Sequence, residues 1–401
     1  MSHFADFRQL LSAEAVRTQS DRVTTRLRNG GGHFAVHDDA LDACADHVVS
    51  VTRSRYPDLD IPYHSRWRHF RTSTATVLEQ RLLAHLEQLD PLAAARLGFD
   101  LVIPSVLLDA GAGAHWAFHA PDAAEPIGRS EGLGLASLDM FLDGAFSTDG
   151  SPATHAAALR QLTEARLELG FQVGDDNPLV GVPGRVQLLQ RLGATMAADP
   201  DRFPNGRPGD LIDLVCPNGE TTLTARSLLG AVLDALTPVW PSGRTGESPV
   251  DLGDAWHYAP FGAGPDSIIP FHKLSQWLTY SLAETCERSG ITVTGMDELT
   301  GLPEYRNGGL LLETGVISLR DASAAEGVHA PGSELIVEWR ALTITLLDEV
   351  AARVRARLDR PDMLLAEVLE GGTWAAGRAL AFQRDPAGTP PLHLDSDGTV
   401  F

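Results

Sequence analysis

Between Leu299 and Leu310 the chain sets a carboxylate, a phenol, a guanidinium and an amide in consecutive positions, Glu304-Tyr305-Arg306-Asn307. Pro303 precedes them and the pair Gly308-Gly309 follows. A segment that only turned the chain would need the proline and glycines, not this density of hydrogen-bonding side chains. These residue types suit a site in which Glu304 stabilises positive charge or activates water. Arg306 would orient that carboxylate or bind a ligand oxygen. The plainer alternative is a structural Glu–Arg pair at a helix-entry loop.

Five further groupings could carry chemistry. Glu338 and Arg340 flank Trp339 near a helix start. Two positions apart, they do not share a helical face, and their apolar surroundings demand a partner for each if buried; an acid favoured by the helix dipole is the simpler reading. Asp109 ends an apolar run and enters Ala-Gly-Ala-Gly-Ala, followed by His115 and Trp116. Backbone can approach a ligand closely there, but Trp at the third glycine position spoils a dinucleotide fingerprint. The alternative for Asp109 is a cap or tight turn. Tyr63 to Phe70 is the densest basic-aromatic stretch, where Arg66, Arg68 or His69 could hold a phosphate or carboxylate. Its alternative is a solvated basic turn with Trp67 and Phe70 in the core. Gly128-Arg-Ser-Glu131-Gly132 lacks the G-x-S-x-G spacing, and no Ser-His-Asp set can be defended. His33 and His37 stand four apart, which on a helix permits metal binding. No HExxH glutamate lies between them, so surface histidines are the simpler reading and no metal is expected.

These residues need rigid elements to position them. Leu274, Trp277, Leu278 and Leu282 follow helical spacing up to a stop at Gly290. Ile336 to Leu358, after Ser333, predicts a long helix, and residues 155–170, 183–198 and 222–236 read as helices too. Gln172-Val173 and Ile291 to Thr294 are the best strand candidates. The balance predicts a mainly α fold with minor short β elements. The longest break, Pro238 to Pro270, contains Asp254-Ala-Trp256-His257-Tyr258, and such breaks inside compact domains are often functional. A boundary near Asp149–Pro152 would divide an N-terminal helical region, 1–150, from a second, 151–401, unless both form one compact domain.

The chain has 401 residues and 43% hydrophobic content, enough for a sizeable core. Its net charge is −21, from 32 Lys and Arg against 53 Asp and Glu. Such acidity argues against non-specific contact with nucleic acid or anionic membranes, yet leaves room for a small anion at a local arginine cluster. Cys44, Cys216 and Cys286 form no CxxC pattern, so neither a disulfide framework nor a zinc motif is expected. With no apolar leader and no run of transmembrane length, a soluble cytoplasmic protein is expected.

The same residues carry a resemblance. Ile61-Pro-Tyr-His-Ser-Arg-Trp-Arg-His-Phe70, Leu107-Leu-Asp-Ala-Gly-Ala-Gly-Ala114 and Gly128-Arg-Ser-Glu-Gly-Leu133 resemble phrases of a family in URC-type uracil catabolism, that of its fourth protein. So do Pro270-Phe-His-Lys-Leu-Ser-Gln-Trp-Leu-Thr-Tyr280 and Gly301-Leu-Pro-Glu-Tyr-Arg-Asn-Gly-Gly-Leu310. More distantly, the C-terminal half is similar to the queuosine-salvage N-glycosylases. Their Asp-Tyr-Arg triplet matches Glu304-Tyr305-Arg306, and their Glu-x-Arg helix start matches Glu338-Trp339-Arg340. Pro178-Leu-Val180 with Arg185, Leu364 to Glu367 with Arg378, and Asp109 with Trp116 match further segments. Two departures stand out: Glu replaces Asp at 304, and the stretch after Asp109 is Gly/Ala-rich rather than aromatic. A smaller leaving group than a purine-like base fits that change.

The resemblance implies a helical, DNA-glycosylase-like fold and a cofactor-free, metal-independent hydrolase of an N-ribosidic bond. The implied substrate is ribosylurea, as its 5-phosphate, yielding urea and ribose 5-phosphate. Glu304 would face the oxocarbenium-like ring, fixed by Arg306, with Asp109 as second carboxylate. Glu338 and Arg340 would bind ribose, and Arg66, His69 and Lys273 the phosphate. Trp116, Glu131, Asp254 and Trp256 complete the expected substrate contacts. The alternatives are an amide or ureido hydrolase acting on the opened pyrimidine chain, and a non-catalytic nucleotide-binding regulator.

Overall fold

The computed structural model describes residues 3–113, 115–240 and 250–395. Helices dominate and the strands are two or three residues long, so the fold is mainly α. The chain divides into two units. The first comprises residues 1–64, 241–276 and 295–401; the second comprises 65–240 and 277–294. Asp149 to Pro152 lies inside the second unit.

In the first unit the long helix Glu334–Leu358 packs on Ala13–Arg28, Leu41–Arg55 and Tyr305–Glu313. Leu335 to Ile344 are all buried, so this part of the helix is enclosed on every side rather than amphipathic. Glu338 and Arg340 are therefore interior despite pointing to different faces. Each therefore needs the buried partner that its apolar surroundings demand. Tyr305–Glu313 also packs against Trp374–Arg384. There a β-carbon on Gly377 would lie 2.0 Å from the Arg306 carbonyl oxygen, so only glycine allows the approach. Between the short helix Leu365–Val368 and Trp374–Arg384 the chain makes a π-helical turn, Leu369–Thr373. Such turns are rare and often sit at functional sites.

Two-stranded ladders pin the loops of this unit. Phe34–Val36 pairs antiparallel with Ile317–Leu319, and Ala255–His257 pairs antiparallel with Ile268–Pro270. His33 and His37 thus bracket a strand rather than occupy a helix. They part company in their bonds as well: His33 reaches Glu338, and His37 reaches Ser318.

The second unit is built on Pro91–Leu107, Arg129–Leu142, Val182–Ala198 and Ala225–Leu236. Asp90 caps the first of these at the Ala93 amide, and Pro91 supplies a preformed first turn. The expected helix over 155–170 is two, Ala156–Arg160 and Glu164–Gly170, because Thr163 caps the second. Residues 222–236 also divide. Thr222–Thr224 pairs in parallel with Thr292–Thr294, and Thr224 then caps Ala225–Leu236. Gln172-Val173 forms no strand. Gln172 has a positive φ of 54° and spends its side chain on the His119 backbone. The three cysteines are buried and free.

Candidate active site

Glu304 is the N-cap of Tyr305–Glu313. Its Oε2 accepts the Arg306 amide at 2.7 Å and its Oε1 the Asn307 amide at 2.6 Å. Glutamate is not a favoured cap, and here its carboxylate sits at the positive end of a helix. Burial nevertheless pushes the carboxyl above its ordinary value, against the opposing pull of these amides, Lys273 and His64. A hard-to-ionise carboxylate held by fixed backbone dipoles is suited to meeting developing positive charge. The expected guanidinium partner is absent from this arrangement. Arg306 fixes Glu304 through its backbone N–H, while its side chain donates to the Gly388 carbonyl at 2.9 Å and lies over Tyr305.

Asp254 and Arg340 form a buried fork, with both contacts at 2.7 Å. The Trp256 indole and the Lys273 amide also donate to Asp254. Burial alone would raise the Asp254 carboxyl, but Arg340 and these donors outweigh it and hold the group below the usual carboxylate range. Arg340 continues to the Pro303 carbonyl at 3.3 Å and stacks over Phe271. Pro303 immediately precedes Glu304, so the fork braces the backbone that presents the carboxylate.

Glu338 is fully buried. It accepts from Tyr258 Oη at 2.6 Å and from the His33 amide at 2.7 Å, with the His33 ring at 3.1 Å. Arg26 stands 3.8 Å away. Burial and the neighbouring Glu338 push the Tyr258 phenol up, so it remains a donor.

Another buried acid lies in this unit. Glu370, on the π-helical turn, accepts from Arg55, from Tyr56 Oη and from His64 Nδ1, each at 2.9 Å. Thr373, on the same turn, donates to Asn307 Oδ1 at 2.9 Å, and Asn307 in turn donates to the Leu302 carbonyl. One turn of chain therefore holds both the histidine and the helix end that Glu304 caps. The sequence reading missed Glu370, His64 and Tyr258. For His64 the sole signal is its place in the Tyr63–Phe70 cluster.

The second unit holds the remaining expected residues. Arg66 is buried, with Nε on Ser105 and Nη1 on Asp109, both at 2.7 Å. Ser130 donates to the other Asp109 oxygen at 3.0 Å, and His69 Nδ1 lies 3.4 Å from Arg66. Half-buried Glu131 adds negative charge toward Arg66. Arg66 Nη2 and Trp277 Nε1 are buried donors without a partner among the described residues. Arg185 clamps the Gly/Ala segment after Asp109 by donating to the carbonyls of Leu108, Ala110, Gly111 and Val180. Trp116 is core: its indole donates to the Phe171 carbonyl and its ring stacks on Phe171. At the C-terminal match, Glu367 accepts the Leu364 amide as a local cap, and Arg378 lies over Trp374 and Phe382.

A sequence family described as a protein of unknown function, DUF1688, matches residues 9–401. The chain belongs to the DUF1688 family. Protein urg3 of Schizosaccharomyces pombe is 38% identical to it over 408 residues, covering 98% of each chain. Uracil catabolism protein 4 of Lachancea kluyveri is 37% identical over 410 residues, covering 92% of each. Both alignments run through the DUF1688 match, so the likeness extends to both units.

Proposed function

We propose that the protein hydrolyses the N-ribosidic bond of a ring-opened pyrimidine breakdown product in uracil catabolism. Ribosylurea 5-phosphate, or ribosylurea itself, would yield urea and the corresponding ribose. The pathway is supported by the name of the Lachancea kluyveri relative. The observation that carries the reaction is Glu304, a half-buried carboxylate fixed by two backbone amides and harder to ionise than usual.

Breaking the bond builds positive charge on the ribose ring, and a preorganised carboxylate beside the anomeric carbon lowers that barrier. Both Glu304 oxygens already accept an N–H. This favours electrostatic stabilisation with attack by water over a covalent ribosyl-enzyme. In this reading Asp254, Arg340, Trp256 and Glu338 hold the site together. Arg306 acts through its amide, and Lys273 tunes the Glu304 carboxylate. The second unit by itself offers an anion the open donors of Arg66 and Trp277. Asp109 balances the Arg66 charge, so hydrogen bonding rather than net charge would select the ligand.

Glu304→Gln tests the reading. It keeps the shape and one acceptor, so melting temperature and ribosylurea binding should stay near wild type. Turnover should fall by at least about 10²–10³-fold, as for loss of one transition-state electrostatic group. Near-normal turnover would remove Glu304 from the mechanism.

A further inference from the structure

We infer that His64, held by Glu370, is the general acid that protonates the departing nitrogen. This deepens the hydrolase reading above and rests on it. A urea nitrogen cannot leave readily as an anion, so hydrolysis needs a proton donor. Glu304 cannot serve while it stabilises the cationic ring as a carboxylate.

Four observations select His64. Its Nδ1 is 2.9 Å from a Glu370 oxygen, so the carboxylate accepts and Nδ1 carries a hydrogen. Its backbone N–H is tied to the Ala366 carbonyl at 3.0 Å, which fixes the origin of the side chain. Its Nε2 has no hydrogen-bond partner among the described residues, although the residue is only 8% exposed. Its charge also bears on Glu304. The carboxylate behind the ring fixes its orientation, the arrangement that lets a histidine hand over a proton at its far nitrogen. Arg55 and Tyr56 hold Glu370 in place, and the Thr373–Asn307 bond keeps this turn in register with the Glu304 cap.

The step balances without a co-reactant beyond water. Nε2–H passes its proton to the urea nitrogen as the C1′–N bond breaks, and the bonding pair leaves with that nitrogen. The ribosyl cation faces Glu304. Water adds to C1′ and returns its proton to the neutral Nε2, restoring the imidazolium. Urea and a reducing sugar are the products. The charged and titratable groups around His64 are Glu370, with Arg55 and Tyr56 on that carboxylate, and Glu304, on which both His64 and Lys273 act.

The test compares two leaving groups, because p-nitrophenolate departs without a proton. In His64→Asn the amide N–H stands where Nδ1–H stood and can still bond Glu370. Its kcat on ribosylurea should fall by about 10²–10⁴-fold, the usual worth of a general acid. Hydrolysis of p-nitrophenyl riboside should fall less than about tenfold on the same scale. The alkaline limb of the wild-type pH profile should be present for ribosylurea and missing for the nitrophenyl riboside. Glu304→Gln should lose both activities. Equal losses on both substrates in a cooperatively melting His64→Asn, or near-normal ribosylurea turnover, overturn the donor alone. If His64→Asn does not melt cooperatively, His64→Gln is judged by the same ratio. Wild-type protein that hydrolyses neither compound overturns the hydrolase reading and the donor with it.

Discussion

Arg340 and Asp254, expected from sequence among the substrate contacts, spend their charges on each other. A guanidinium and a carboxylate 86 positions apart meet in a buried fork. Removing one partner leaves the other charged and unpaired in the interior. Arg340→Met and Asp254→Asn should therefore each cost about 3–5 kcal/mol in denaturant unfolding. The double variant should cost less than the sum, because the two share one interaction. Unchanged stability with a raised KM would instead make them substrate contacts. The pair also fixes a sign for pH. Asp254 is held below its ordinary 3.8, so its contribution is present above that value and fades as pH falls through the folded one. Glu304 runs the other way. Its carboxyl is raised above 4.5, so it favours folding below that value and costs stability as pH rises through the folded one. A group that weakens the fold while ionised is what function, rather than stability, would retain.

At the scale of elements, two glycines separate structural need from tolerance. On Gly377 a β-carbon would meet the Arg306 carbonyl at 2.0 Å, and that backbone also bonds Glu304. Gly377→Ala should push Trp374–Arg384 off Tyr305–Glu313, costing about 1–3 kcal/mol of stability, and should lower turnover further by moving the cap. Gly230, inside Ala225–Leu236, has open space around it. Gly230→Ala should raise stability by about 0.4–1 kcal/mol and leave turnover unchanged. Thermal melts and rates of the two variants check both signs; a neutral Gly377→Ala would deny the close approach. The helices themselves were legible in sequence. Lys273–Arg288 and Glu334–Leu358 announced themselves through apolar spacing, a Gly290 stop and a Ser333 start. The break at Thr163 was missed because the apolar pattern runs on across it. The cap-forming Thr163-Glu164 was the available signal. The Glu304 segment could be read because its polar residues are neighbours. The His64–Glu370 pair could not, since 306 positions separate them and only the π-helical turn brings them together.

The molecule as a whole hides its organisation from a linear reading. The chain passes between its two units at 64/65, 240/241, 276/277 and 294/295, and the third crossing falls inside the helix Lys273–Arg288. No proline- or glycine-rich linker marks a boundary in the middle of a helix. Among the described residues no helix is long and apolar enough to cross a membrane. With a net charge of −21, any anionic substrate must be drawn in by local donors against the overall field. The measurement that bears most directly on the central claim uses the intact protein. It is incubated with ribosylurea and with its 5-phosphate in the presence of EDTA, and urea, ammonia and reducing sugar are quantified. N-ribosidic hydrolysis predicts urea and reducing sugar in equal amounts, insensitive to the chelator. Ammonia without urea, or binding of either compound with no turnover, would contradict it.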